Sequence, residues 1–204
     1  ITTDAPVAEA EPNDLYTKPQ LVESLPARIN GRLEKSGDVD SYGVNLSAGQ
    51  TLIATVEAHT LMSPFDSVLR LVDSRGVQVA FNHDDGRTLD SRLVWTAPSA
   101  GRYVLQVFGF DYPAGSDVRF TGNSRCIYRL HLETGAFLHH TWPLGVQRGA
   151  TTPLAGVGSG PAAESIDLGK FNGSSLEAGT ETVEFHAPRF ANPRSLPVGD
   201  GPEI

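Results

Sequence analysis

Cysteine, methionine and tryptophan are scarce: the 204 residues hold one Cys, one Met and two Trp. A lone Cys126 excludes an internal disulfide, so cysteine usage leaves the redox compartment open. The setting Cys126-Ile127-Tyr128-Arg129-Leu130-His131-Leu132 alternates like a strand, which suits a small buried hydrophobe better than a nucleophile. Long apolar runs are also missing. No stretch approaches the ~20 apolar residues of a transmembrane helix, so no membrane insertion is expected. Positive charge is in deficit, with 16 Lys and Arg against 24 Asp and Glu and a formal net charge of -8. That balance supplies no basic footprint for nucleic acid or an anionic membrane surface, and cations are the more natural ligands. Helical periodicity is nearly absent, the one window being Leu15–Leu25, which Pro19 interrupts. The chain opens Ile1-Thr2-Thr3-Asp4 without Met or a signal peptide and reads as an excerpt, so the lack of an export signal carries no weight.

What remains is turn-rich and strand-like. A hydrophobic fraction of 39% and a charged fraction of 20% suffice for a packed core, and 21 Gly with 14 Pro favour many short strands. The length suits two small domains. Strands are expected at Ala27–Leu33, Tyr42–Leu46 and Thr51–Glu57. Asp66–Asp73 and Val77–Asn82 flank Ser74-Arg75-Gly76 as a hairpin. Further strands are expected at Ser91–Trp95, Arg102–Phe108 and Cys126–Glu133. Regular short strands with turns between them mean a sandwich or barrel. Residues 1–24 read as a linker, and Gly109–Ser124, with Asp111 and Asp117, as a long polar loop. After Gly135 the strand signals thin out, apart from Thr182–His186, and Arg194–Ile204 reads as another linker.

Catalytic patterns are not found. Neither His-Glu-x-x-His nor Gly-x-Ser-x-Gly occurs. His139 and His140 are adjacent and would face opposite sides of a strand, while His59, His83, His131 and His186 are scattered singly and read as surface or loop residues. Gly156-Val157-Gly158-Ser159-Gly160 lacks the Lys and the helix of a phosphate cradle and reads as a loop. No enzyme is expected.

The densest set of oxygen donors is Glu9-Ala10-Glu11-Pro12-Asn13-Asp14, followed by Asp38-Val39-Asp40. In an extended chain Glu9, Glu11 and Asn13 project to one side, so they can converge on one ion, and hard oxygen ligands suit Ca2+ above Zn2+ or Mg2+. The competing reading is that these acidic residues are simply solvated. A second set, Asp66, Asp84, Asp85 and Asp90, is either another ion site or a hairpin loop whose Asp side chains bond their own backbone.

An ordered series of motifs resembles the bacterial pre-peptidase C-terminal domain. It runs through Glu9–Asp14, Ile29-Asn30-Gly31, Gly37-Asp38-Val39-Asp40-Ser41-Tyr42 and Ala48-Gly49-Gln50-Thr51-Leu52. It continues in Ser63–Leu69, Asn82-His83-Asp84-Asp85, Asp90-Ser91-Arg92-Leu93 and Ala97–Tyr103. The resemblance spans residue 9 to about 134. It departs where the last strand of that family reads Gly-x-Tyr and this chain has Ser124-Arg125-Cys126-Ile127-Tyr128. It implies an all-β, jelly-roll-like antiparallel sandwich over residues 25–135, of the kind appended to secreted proteases and other exported proteins. It also implies Ca2+ held by the positions matching Glu9, Glu11, Asn13, Asp14, Asp38 and Asp40. Residues 136–204, with Trp142–Gly149, resemble more weakly the immunoglobulin-like segments of large planctomycete-type exported proteins, and imply a second, smaller β domain.

The expected function is therefore a calcium-stabilised, non-catalytic spacer or adhesion module of a secreted, cell-surface or periplasmic bacterial protein, working beside other domains of the same parent chain. The alternative is a targeting module that binds a collagen-like protein or a polysaccharide for a catalytic domain elsewhere, with Phe110 and Tyr112 as its ligand face.

Overall fold

The computed structural model describes residues 6–86, 88–116, 118–160 and 166–201. Arg87, Asp117, Pro161 and the Pro202-Glu203-Ile204 ending lie outside the described residues. The chain divides into two compact units, Ile1–Thr134 and Gly135–Ile204.

Among the described residues the first unit holds ten strands: β1 (Val7–Ala8), β2 (Gln20–Leu21), β3 (Ala27–Arg32), β4 (Asp40–Leu46), β5 (Thr51–Glu57), β6 (Phe65–Val72), β7 (Gln78–Asn82), β8 (Arg92–Thr96), β9 (Gly101–Asp111) and β10 (Ile127–Thr134). They form two five-stranded sheets, ordered β1-β3-β10-β5-β8 and β2-β4-β9-β6-β7. From β3 to β6 each strand lies in the opposite sheet to the one before it, which is the jelly-roll pattern. Period-two alternation sets the core. Leu52, Ala54 and Val56 of β5 and Leu130 and Leu132 of β10 meet Tyr42 and Val44 of β4 and Leu105 and Val107 of β9 in one buried cluster. Burying a side chain of this size is worth about 1.5–3 kcal/mol relative to leaving it exposed. Cys126 is fully buried in the same core, and its thiol is pushed up from its ordinary pKa by that burial.

Three expectations are corrected. The N-terminal linker of residues 1–24 carries β1 and β2, which pair in parallel with β3 and β4, so the sandwich is not wholly antiparallel. Two-residue pairings leave no periodicity in a sequence. The window Leu15–Leu25 holds a tight turn, closed by Lys18 N–H donating to the Leu15 carbonyl, and then β2. Third, Arg194–Gly199 is no linker but a strand, antiparallel to Thr182–Phe185.

The second unit holds β11 (Phe137–Trp142), β12 (Val146–Gln147), β13 (Thr151–Ser159), β14 (Ile166–Asn172), β15 (Thr182–Phe185) and β16 (Arg194–Gly199). These make two three-stranded sheets, β11-β13-β14 and β12-β16-β15. Val146, Leu154 and Leu196 are its small buried core. No helix among the described residues is long and apolar enough to cross a membrane.

Candidate metal centre

Asp40 is the first residue of β4 and precedes Tyr42 by two, so both side chains point to the same side, into the end of the sandwich. There Tyr128 of β10 reaches across: its hydroxyl lies 2.5 Å from Oδ2 of Asp40 and 2.5 Å from the Tyr42 hydroxyl. Gly31 of β3 makes room for this, since a Cβ at that position would stand 2.4 Å from the Tyr128 ring. Asp38 sits in the turn before β4, behind Gly37, whose φ of +89° is a left-handed conformation that glycine adopts without strain.

The segment after β1 crosses over this group. Glu9 N–H donates to the Asn30 carbonyl, and Glu9 Oε2 accepts from Arg32 N–H at 2.7 Å. Asn13 is pinned beside β4 because its carbonyl accepts from Ser41 N–H. Its Nδ2 donates to Glu9 Oε1 at 3.2 Å, and its own N–H donates to Glu11 Oε2 at 2.9 Å. Glu9, Glu11 and Asp40 thereby offer one oxygen each within 4.8 Å of one another.

The acceptors left over decide what this arrangement seeks. Asn13, Asp38 and Asp40 are 1%, 0% and 0% exposed, and Oδ1 of all three is shielded from solvent with no hydrogen-bond partner. A buried acceptor without a donor is costly, and several together with carboxylates are more so. Burial, reinforced by Glu9, pushes the Asp40 carboxyl up to about 10. Burial likewise raises Asp38, and it raises Glu11, with the charges of Asp38, Glu9 and Asp14 adding to the effect. Asp14 stands apart: a hydrogen bond with Asp38 and the Lys35 ammonium 3.2 Å away hold it below the usual range. Lys35 also lies 3.5 Å from Asp38 Oδ1, so part of the cluster has a cationic neighbour already. The Tyr42 and Tyr128 hydroxyls, the inner backing of the site, carried no signal in the sequence, because both read as ordinary core aromatics.

The second acidic set does not come together as one group. Asp85 pairs with Arg92 at 2.7 Å. Asp90 is 6% exposed and its carboxylate accepts from the backbone N–H groups of Ala58, His59 and Thr60, organising the turn His59–Leu61. Asp66 and Asp84 instead converge on His83. Expected as surface or loop residues, His83 and His131 are half-buried and each lies within 3.4 Å of a carboxylate, Asp66 and Glu57 respectively.

The expected ligand face is altered as well. Phe110 lies within β9, and the long loop folds back so that Phe120 bridges to it and packs on it with centroids 5.7 Å apart. Phe110 is thus half-buried, while Tyr112 is 46% exposed and stands edge-on to His59. In the second unit His139 Nε2 and Ser159 Oγ come within 2.6 Å. Burial, and then the neighbours His140 and Arg194, lower the His139 pKa, whereas a nucleophile's base needs an anion behind it.

Fold and site together define an all-β sandwich with a cluster of oxygen donors at one end, buried at Asn13, Asp38 and Asp40. Its structure is similar to the pre-peptidase C-terminal domain of collagenase from Bacillus anthracis, at 15% identity and a TM-score of 0.41, over 62% of this chain and 99% of that one. It is also similar to Aeromonas hydrophila PliG, a periplasmic inhibitor of g-type lysozyme, at 17% identity and a TM-score of 0.39, over 56% of this chain and 93% of that one. No family model matches the sequence, and no curated protein does.

Proposed function

We propose that this chain is a non-catalytic accessory module of an exported bacterial protein, and that its sandwich is stabilised by Ca2+ bound among Glu9, Glu11, Asn13, Asp38 and Asp40, with Asp14 at the margin. The observation that carries this reading is the trio of solvent-shielded Oδ1 atoms on Asn13, Asp38 and Asp40 that accept no hydrogen bond, of which Asp38 Oδ1 alone has an ammonium nearby, that of Lys35. Every donor in the set is oxygen, which is the chemistry a hard, high-coordination cation takes. The ion neutralises carboxylates that otherwise repel one another or hold protons against their tendency to ionise. It also ties the segment between β1 and β2 to the turn before β4, which fits a spacer or adhesion module held in one orientation next to its neighbours in the parent chain. Polymer targeting through Phe110 and Tyr112 has weaker support, because Phe120 covers part of that face.

The test is thermal unfolding of the whole chain in chelator and in Ca2+. An ion that binds only the folded form adds about 2.7 kcal/mol at one hundred times its Kd, which raises the melting temperature by several degrees. Asp40→Asn should abolish most of that increment. Superimposable melting curves in chelator and in millimolar Ca2+ would reject the reading.

A further inference from the structure

On the outer face of the β2-β4-β9-β6-β7 sheet, Asp66 of β6 meets His83 and Asp84, which follow β7. Hairpin register fixes the approach: Leu69 pairs with Asn82, so the chain leaving β7 runs alongside the start of β6. The alternation of β6 sends Phe65 into the core and Asp66 out, opposite Phe110 in the β6/β9 ladder. Phe110 then walls one side, its ring edge-on to His83 with centroids 6.1 Å apart.

The donor atoms converge and satisfy one another only in part. One atom from each of Asp66, His83 and Asp84 lies within a common 4.8 Å. His83 Nε2 lies 3.2 Å from Asp66 Oδ2 in an ion-pair contact that holds the Asp66 carboxyl down against its burial, and it lacks the alignment of a full hydrogen bond. Asp66 Oδ1 is shielded from solvent and without a hydrogen-bond partner. Groups that pair only with each other turn their donors and lone pairs toward each other, whereas metal ligands aim at a third point between them. Nδ1 of His83 lies 3.8 Å from Asp84 Oδ2, beyond hydrogen-bond reach, so the ring does not tie up the Asp84 carboxylate.

The geometry points to a second metal site, formed by Asp66, His83 and Asp84, that takes a borderline divalent ion of the zinc class. An imidazole nitrogen distinguishes this donor set from the all-oxygen cage, because nitrogen ligands favour Zn2+ and its neighbours over Ca2+. Three protein ligands leave a fourth position for water or an incoming group. His59, whose ring stands edge-on to that of Tyr112, lies close enough to Asp66 to act on it electrostatically. An ion here ties the loop after β7 to β6. The inference stands independently of the calcium reading.

The decisive experiment is zinc binding by the full, untagged chain in saturating Ca2+, measured by equilibrium dialysis with metal analysis, and by the visible spectrum of the Co2+ form. The wild type should retain about one equivalent. His83→Ala and Asp66→Asn should each lose it, and Asp40→Asn should keep it while losing the calcium effect. Zinc retained undiminished by His83→Ala would place it elsewhere, for instance at His139 and His140, and would overturn the proposal. So would a wild type that retains none. Should Asp66→Asn fail to fold, exposed Asp84→Asn and the ring-nitrogen NMR signals of wild-type His83 decide, and an Nε2 signal unmoved by zinc rejects the site.

Discussion

The hydroxyl of Tyr128 donates to Oδ2 of Asp40 across 2.5 Å, joining β10 of one sheet to the first residue of β4 in the other. The same hydroxyl touches that of Tyr42, which in turn donates to Glu9 Oε1 at 3.3 Å. Two core tyrosines thus hold a buried carboxylate in place from the inside, leaving Asp40 Oδ1 turned toward the crossing segment.

Removing that support should loosen the ion and leave the sandwich intact. Tyr128→Phe keeps the ring packed edge-on to Phe65 and deletes only the hydroxyl. Calcium affinity measured by calorimetry should fall about 10–100-fold, as is usual when a group orienting a metal ligand is lost. An unchanged affinity would mean that Asp40 does not depend on Tyr128 for its position.

Asp90 gives the contrasting case. Its carboxylate receives three backbone N–H groups of the Ala58–Thr60 stretch, at 2.7, 2.6 and 3.0 Å. Asp90→Ala leaves these donors without an acceptor and should cost about 1–3 kcal/mol in urea unfolding. Calcium affinity should stay as it was, because Asp90 lies outside the cage. A parallel loss of calcium binding would join the two regions in a way their hydrogen bonds do not.

Glu133 on β10 should tilt stability with pH. Burial raises its carboxyl above 4.5, against the opposing pull of His131 and Arg92. The folded state therefore holds the proton more tightly than the unfolded chain. Glu133's contribution is largest at low pH and falls as pH climbs from its unfolded value through its folded one. Glu133→Gln cannot ionise and should lack that decline, so the melting temperature of the variant minus that of the wild type should increase from pH 4 toward neutrality. A difference that stays flat with pH would show that Glu133 titrates alike in both states.

The sandwich was legible in the sequence where side chains alternate over several residues. Thr51–Glu57 and Ala27–Arg32 become strands close to where the pattern places them. It was poorly legible where pairing is brief or contact is distant. β1 and β2 are two residues each, too short for any period to register. Phe120 covers Phe110 from inside a polar stretch, and nothing local announces that return. The candidate cage was visible as an acidic string with a second group downstream, because its oxygen donors fall in two short runs, Glu9–Asp14 and Asp38–Asp40. Its buried depth at Asn13 was not, since that follows from Asn13 taking the Ser41 N–H on its carbonyl. Nor was the company of Asp66 and His83, which only the β6–β7 register brings about.

The placement of β1 and β2 has a last consequence. Each is the outermost strand of a different sheet, next to β3 and β4. One stretch of fifteen residues, Val7 to Leu21, therefore caps two open borders at the same end of the ladder order. Bare borders of that kind recruit foreign strands, and very short outer strands are a natural protection against it. Losing this stretch would unmask both rows of backbone groups together, and the first symptom would be self-association, before any loss of the core.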